Sequence, residues 1–254
     1  MKIMTAADMP RICYVHIAKS AGTWLRHVLQ DSYRPADICD FRFDNQFDLA
    51  DPADFMNKKF FSAHVGIETA LRLDSDLITV LRNPFDRVLS LFYYWKEVEG
   101  GPVLVKNMNL EEFLDTRIRM TTEDLDNGQT WQLAYGNTNI VRKKHSGISK
   151  DDLLAKAIEN LDRFAILGVY ENLDEVTRQI QDRYMLSLGR LPCRINATRS
   201  RKSMEQIPIE IRNKIYARND LDVALYDHVM RKVLSRPPAP VNGAAPDESV
   251  QPEA

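Results

Sequence analysis

Residues 12–26, ICYVHIAKSAGTWLR, set a short apolar run against a loop of small residues and the start of a helix. A strand that ends in such a loop and feeds a helix makes backbone N–H groups and the helix N-terminus converge on one point, which is how proteins hold anions. Lys19 adds a mobile cation and Thr23 a hydroxyl donor. The segment is a candidate phosphate or phosphosulfate site. It is not a Walker A loop, in which the Lys follows the last Gly. Here Lys19 precedes Gly22 and only Thr23 follows that glycine. The cation therefore enters from the strand side, which disfavours a generic nucleotide kinase.

The same alternation continues along the chain. Lys59-Phe60-Phe61-Ser62-Ala63 reads as a second strand ending at His64-Val65-Gly66. Leu77-Ile78-Thr79-Val80-Leu81 is a continuous apolar, β-branched run, as expected of a strand buried on both faces. It ends at Arg82-Asn83-Pro84, where the proline suits the first turn of a helix carrying Val88, Leu89, Leu91, Phe92 and Trp95 on its apolar face. Residues 34–58 read as an irregular polar excursion, and residues 109–162 as mostly helical with a break at the polar stretch 142–147. Phe164–Val169 is a fourth strand, 171–188 an amphipathic helix, and 207–234 helical again. This pattern predicts an α/β fold: a P-loop-like parallel β-sheet flanked by helices, with a largely helical C-terminal half.

A chain of 254 residues suits one such domain, placed at 1–235. Residues 236–254, RPPAPVNGAAPDESVQPEA, hold almost no large apolar side chain and read as a disordered tail. A formal net charge of −2 gives no basic bias, so no nucleic-acid partner is expected. No charged-then-apolar leader and no apolar run long enough to span a bilayer is present, so a cytoplasmic protein without an integral membrane segment is expected. Cys13, Cys39 and Cys193 are scattered and odd in number, which supports neither a zinc site nor a disulfide framework. No metal is expected, and composition leaves the oligomeric state open.

In parallel sheets ligands bind outside the carboxyl ends of the strands. Those ends carry His16 and Lys19, His64, and Arg82, with Ser90 two turns into the next helix. Anion sites at Lys19/Thr23 and at Arg82/Ser90, with a histidine between them, suit a nucleotide phosphorylated at both ends of its ribose.

At these residues the chain resembles a known family. HIAKSAGTWLR is similar to the phosphosulfate loop, H-I-P-K-T-G-G-T, of the Golgi-type carbohydrate sulfotransferases. VLRNPFDRVLSLFYYW, residues 80–95, resembles their 3′-phosphate-binding segment, and Arg82 and Ser90 match its Arg–Ser spacing. FFSAHVG, residues 60–66, is similar to the segment that supplies a catalytic histidine in the uronyl 2-O-sulfotransferases. GQTWQLAYG at 128–136, Asn196-Ala197-Thr198 before a basic loop, and NDLDVALYDHV at 219–229 extend the likeness, in the family's order. Ala18 and Ala21 depart from the pattern. If position 21 needs a positive φ, alanine is strained there. No counterpart of the animal enzymes' membrane anchor is expected, and a soluble bacterial relative is the expected member.

The resemblance implies 3′-phosphoadenosine 5′-phosphosulfate (PAPS) as donor and a hydroxyl, on a sugar or glycan precursor, as acceptor. Lys19 would neutralise the bridging oxygen. Ser20, Ala21, Gly22, Thr23 and Trp24 would bind the 5′-phosphate through their N–H groups and the Thr23 hydroxyl. Arg82 and Ser90 would bind the 3′-phosphate, and Arg201 and Lys202, in a basic loop with Arg194 and Arg199, would close over the phosphates or greet an anionic acceptor. His64 would be the general base, with Lys19 as its catalytic partner. Gln129 and Trp131 are candidates for lining the acceptor or adenine pocket. His16 is expected to be a satisfied core residue, and the aromatic run 92–95 to be helix packing. The alternatives are a P-loop-type nucleotide kinase, and a non-catalytic protein that binds 3′-phosphoadenosine 5′-phosphate (PAP).

Overall fold

The structure is a computed structural model and describes residues 9–99, 103–116, 123–186, 188 and 204–235. Four parallel strands form its sheet: β1 (Ile12–Val15), β2 (Phe60–Ala63), β3 (Asp76–Leu81) and β4 (Phe164–Val169), in the spatial order β2-β1-β3-β4. Ile12 stands opposite Phe60 on one side and Asp76 on the other, and Leu81 pairs with Val169. The fold expected from the sequence is the one observed.

Alternation along the strands divides the core into two layers. Cys13, Val15, Phe61, Ala63, Leu81 and Leu167 face one side. There they meet α3 (Ile67–Leu71), α7 (Gly128–Ala134), α9 (Lys150–Leu161) and α12 (Asp220–Leu234). Ile12, Tyr14, Phe60, Ile78, Val80 and Ile166 face the other side, against α1 (Gly22–Gln30) and α10 (Leu173–Tyr184). Each Val, Leu, Ile or Phe among these buried side chains contributes about 1.5–3 kcal/mol relative to exposure. A satellite cluster joins α4 (Pro84–Glu97) to α5 (Val103–Asn107), α6 (Leu110–Asp115) and α11 (Ile209–Arg218) through Phe85, Val88, Phe92, Val105, Phe113 and Ile215.

Local structure differs from the sequence reading in places. The excursion at 34–58 holds α2 (Asp44–Leu49) and short 3₁₀ turns at Pro35–Asp37 and Pro52–Asp54. The break expected at 142–147 falls later, because α8 (Asn139–Lys144) runs through Arg142 and Lys143. Basic residues in a last turn complement the helix dipole, so their polarity does not end the helix. The helix expected over 171–188 is α10, which ends at Tyr184 with Met185 in the left-handed region at φ 55°. Residues 236–254, and with them the expected tail, lie outside the described residues. Among the described residues no helix is long and apolar enough to cross a membrane.

The strand order fixes where a ligand can sit. The chain leaves β1 toward β2 on one side and later leaves β3 toward β4 on the other. The carboxyl ends of β1 and β3 therefore bound a crevice at the topological switch point. Lys19 follows the first of these strands and Arg82 the second.

Candidate active site

The loop after β1 is held from beneath by its carbonyl groups. Arg87 Nε donates to the Ala18 carbonyl at 3.1 Å, Arg82 Nη1 to that of Lys19 at 3.0 Å, and the Tyr14 hydroxyl to that of Ser20 at 3.2 Å. With three successive carbonyl dipoles engaged by donors, the loop offers an anion less repulsion. Lys19 and Ala21 both lie in the left-handed region, at φ 66° and 64°. Alanine does stand at a position where glycine is the unstrained residue, at a cost of about 1–2 kcal/mol.

Ala21 is also the N-cap of α1 and has no side-chain acceptor to offer. The first-turn N–H groups of Gly22, Thr23 and Trp24 therefore lack an intrahelical partner and carry the positive end of the helix dipole. Ser20 is different. It is wholly buried, and its N–H donates to the Ile17 carbonyl at 3.2 Å. That bond engages the Ser20 N–H within the loop itself. Gly22 is required for another reason: a Cβ there would stand 1.4 Å from His16 Nε2.

At the end of β3, Arg82 is buried and its guanidinium lies 4.0 Å from the centre of the Tyr170 ring. Gln129 holds its main chain, accepting from the Arg82 N–H and donating to the Arg82 carbonyl, each at 3.0 Å. Asn83 caps α4, its Oδ1 accepting from Phe85 and Asp86, and Pro84 fills the first turn. Half-buried Ser90 then faces the same cavity two turns along.

That cavity has a volume of about 500 Å³. It gathers Lys19, Ala21, Gly22, Thr23, Trp24, His64, Arg82 and Ser90 from three strand ends. The ammonium of Lys19 sits 4.0 Å from the centre of the Tyr94 ring. Burial, and then the nearby Arg82 guanidinium, lower its pKa to about 8, against the opposing pull of Glu97 and Asp124.

His64 stacks on His16, with ring centroids 3.9 Å apart and a 30° tilt. Burial lowers the pKa of both. For His64, Asp124 and a hydrogen bond with the His16 main chain pull the other way. A His64 held neutral near pH 7 can accept a proton. His16 is not a sealed core residue. It is half-buried and lines the cavity.

Gln129 and Trp131 do not line the cavity; Gln129 is the wholly buried clamp on Arg82. Gln132 faces the cavity instead, its Nε2 bridging the carbonyls of His16 and Val65 at 3.1 and 3.0 Å. Tyr94 and Trp95, from the run expected to be packing, also line it. Arg194, Arg199, Arg201 and Lys202 lie outside the described residues. No group of three or more His, Cys, Asp or Glu among the described residues is placed to hold a metal ion.

Sequence reasoning missed the support behind the site. Arg87, 1% exposed, reaches Ala18, the Asp124 carbonyl at 2.8 Å and Asp222 at 3.7 Å. Asp222, itself sealed, caps α7 by accepting from the N–H groups of Gln129 and Thr130. Asn127 returns the arrangement, its Oδ1 accepting from the N–H groups of Leu221 and Asp222 at the start of α12. The segments 127–136 and 219–229 are thus each other's helix caps. The available cue was an arginine on the apolar face of α4, since buried arginine is rare unless paired.

The sequence model of the sulfotransferase family matches residues 2–228. No curated protein matches the chain at a significant level. Among solved structures, the chain is similar to mouse sulfotransferase SULT7A1 complexed with PAP, at 16% identity and a TM-score of 0.36. The likeness covers 71% of this chain and spans 60% of that one.

Proposed function

The chain belongs to the sulfotransferase family, and from that premise we propose that it moves a sulfuryl group from PAPS to a carbohydrate hydroxyl. The observation that carries this reading is the pairing of Lys19 and Arg82 across the switch-point crevice, beside the uncapped first turn of α1. Such a cavity suits a nucleotide with anionic groups at both ends. The likeness to the Golgi-type carbohydrate enzymes supports a sugar acceptor.

The first-turn N–H groups of Gly22, Thr23 and Trp24, with the Thr23 hydroxyl, take the 5′-phosphate. Arg82 and Ser90 take the 3′-phosphate. Charge-assisted bonds of this kind are about twice as strong as neutral ones. His64 accepts the proton of the acceptor hydroxyl as the acceptor oxygen bonds to sulfur. The bridging S–O bond breaks and PAP leaves with the electron pair. Lys19 neutralises the charge that collects on the leaving oxygen. Transfers of this type depend mainly on positioning and electrostatics, which a preformed cavity supplies without reorganisation.

Calorimetry with PAP, ATP and ADP tests the reading. PAP is expected to bind more tightly than either adenine nucleotide without a 3′-phosphate. A preference for ATP would overturn the proposal in favour of a kinase.

A further inference from the structure

Part of the cavity wall has no role in holding the nucleotide. Phe43 lines it with 54% of its surface exposed, and its ring stacks near-parallel on His64, with centroids 5.9 Å apart. Single exposed aromatics are ordinary on protein surfaces. This one is fixed in place. Its residue bridges to His64 beside β2, and the His64 N–H donates to the Arg42 carbonyl at 2.7 Å. Gln46 Oε1 accepts from the N–H groups of Arg42 and Phe43 at 2.6 and 3.1 Å. Arg42 Nη1 donates to the Ser62 carbonyl, and Asp44 Oδ1 accepts from the Gly66 N–H, both at 3.0 Å. The strap from Arg42 to Gln46 is thereby pinned to the end of β2, and it carries a largely bare ring next to the group assigned as base.

We propose that Phe43 is the acceptor platform, on which an uncharged pyranoside lies with its C–H face on the ring and a hydroxyl at His64. This rests on the sulfotransferase reading above and narrows its acceptor. The electron-rich face of an aromatic ring attracts polarised C–H groups, and a preordered ring loses little entropy on binding.

Charge sets the class. Asp44, Glu123 and Asp124 line the cavity, whereas its lysine and arginine among the described residues are Lys19 and Arg82, both assigned to the donor. Asp124 is balanced by Arg87 at 3.3 Å, and Arg42 acts on His64 from the strap. An acceptor carboxylate would still meet Asp44 and Glu123, and no unassigned lysine or arginine among the described lining residues. The preferred acceptor is therefore a neutral sugar, although the segment around His64 resembles that of enzymes acting on uronyl residues.

The test is a ligand-observed NMR titration of the full chain saturated with PAP. The probes are the methyl glycosides of glucose, galactose and N-acetylglucosamine, with methyl glucuronide as the anionic counterpart. At least one neutral glycoside is expected to bind about tenfold more tightly than the glucuronide. Phe43→Ala should weaken that glycoside by about tenfold, Phe43→Trp should preserve it, and neither should alter PAP affinity. Retained PAP binding also shows that the variants fold.

The platform is overturned if no glycoside binds the PAP-loaded protein, if the glucuronide binds as tightly, or if Phe43→Ala leaves glycoside binding intact. In each of those cases PAP binding stands, and with it the sulfotransferase reading. Failure of the wild-type chain to bind PAP would remove both.

Discussion

The imidazole of His16 lies 3.9 Å from that of His64, centroid to centroid, so a charge on His64 disfavours a charge on His16. Burial lowers the pKa of each below the ordinary 6.5. Activity that needs neutral His64 should rise with pH through a midpoint below 6.5. It should fall again near pH 8 as Lys19 loses its proton. A pH profile of kcat/KM for PAPS reads both limbs. An acid limb centred above 6.5 would contradict a buried base.

Substituting His64→Gln separates catalysis from binding. Loss of a general base should slow turnover by roughly 10²–10⁴-fold. PAP affinity, measured by calorimetry, should stay near that of the wild type, because the contacts proposed for the nucleotide lie on other strand ends. Turnover at the wild-type rate would assign the base elsewhere.

Arg82→Gln should reveal which end of the nucleotide the guanidinium reads. Loss of a hydrogen bond to a charged group costs about 1.5–3 kcal/mol, so PAP should bind roughly tenfold to a hundredfold more weakly. ADP, which has no 3′-phosphate, should lose much less. Equal losses for both nucleotides would mean that Arg82 acts only through the Lys19 carbonyl.

Neighbouring substitutions in the loop after β1 should act in opposite directions. Ala21→Gly relieves a left-handed alanine and should raise stability by up to about 1 kcal/mol, after the extra chain entropy of glycine is subtracted. Gly22→Ala drives a Cβ into His16 Nε2 and should lower both stability and PAP affinity. Urea unfolding and calorimetry on the pair check this, and a Gly22→Ala protein with unchanged PAP binding would refute the close approach.

Asp222→Ala should be among the most destabilising single changes. It removes one of the two carboxylate partners of buried Arg87 and uncaps α7 together. Arg87 keeps Asp124 at 3.3 Å, so the loss should fall below the about 3–5 kcal/mol of a wholly unpaired buried charge. Urea denaturation should show that loss, with Asp222→Asn intermediate because the amide oxygen still caps the helix.

The sheet was legible because its strands are continuous apolar runs, and the shared cavity of the candidate site because polar residues follow those runs directly. Lys19, His64 and Arg82 needed only the rule that ligands gather at the ends of parallel strands. Phe43 and Asp44 were not legible, since their position depends on a strap pinned by long-range hydrogen bonds such as that from the Gly66 N–H. Gln129 and Trp131 misled for a related reason. Their segment lies beside the site in space, but α7 turns Gln129 onto the Arg82 main chain and presents Gln132 to the cavity. The reciprocal caps of Asn127 and Asp222 join segments about 90 residues apart, which no local pattern encodes.

The hydrogen bond from Arg82 to the Lys19 carbonyl gives the cavity the character of a gauge. A guanidinium on a free side chain would follow its phosphate over several ångströms. Tethered to the backbone of the opposite loop, it stays a set distance from the start of α1. On the proposed reading, a nucleotide is then admitted by the span between its anionic groups as much as by their number. A ligand with the right charges at the wrong spacing must break that tether before it can be held at both ends.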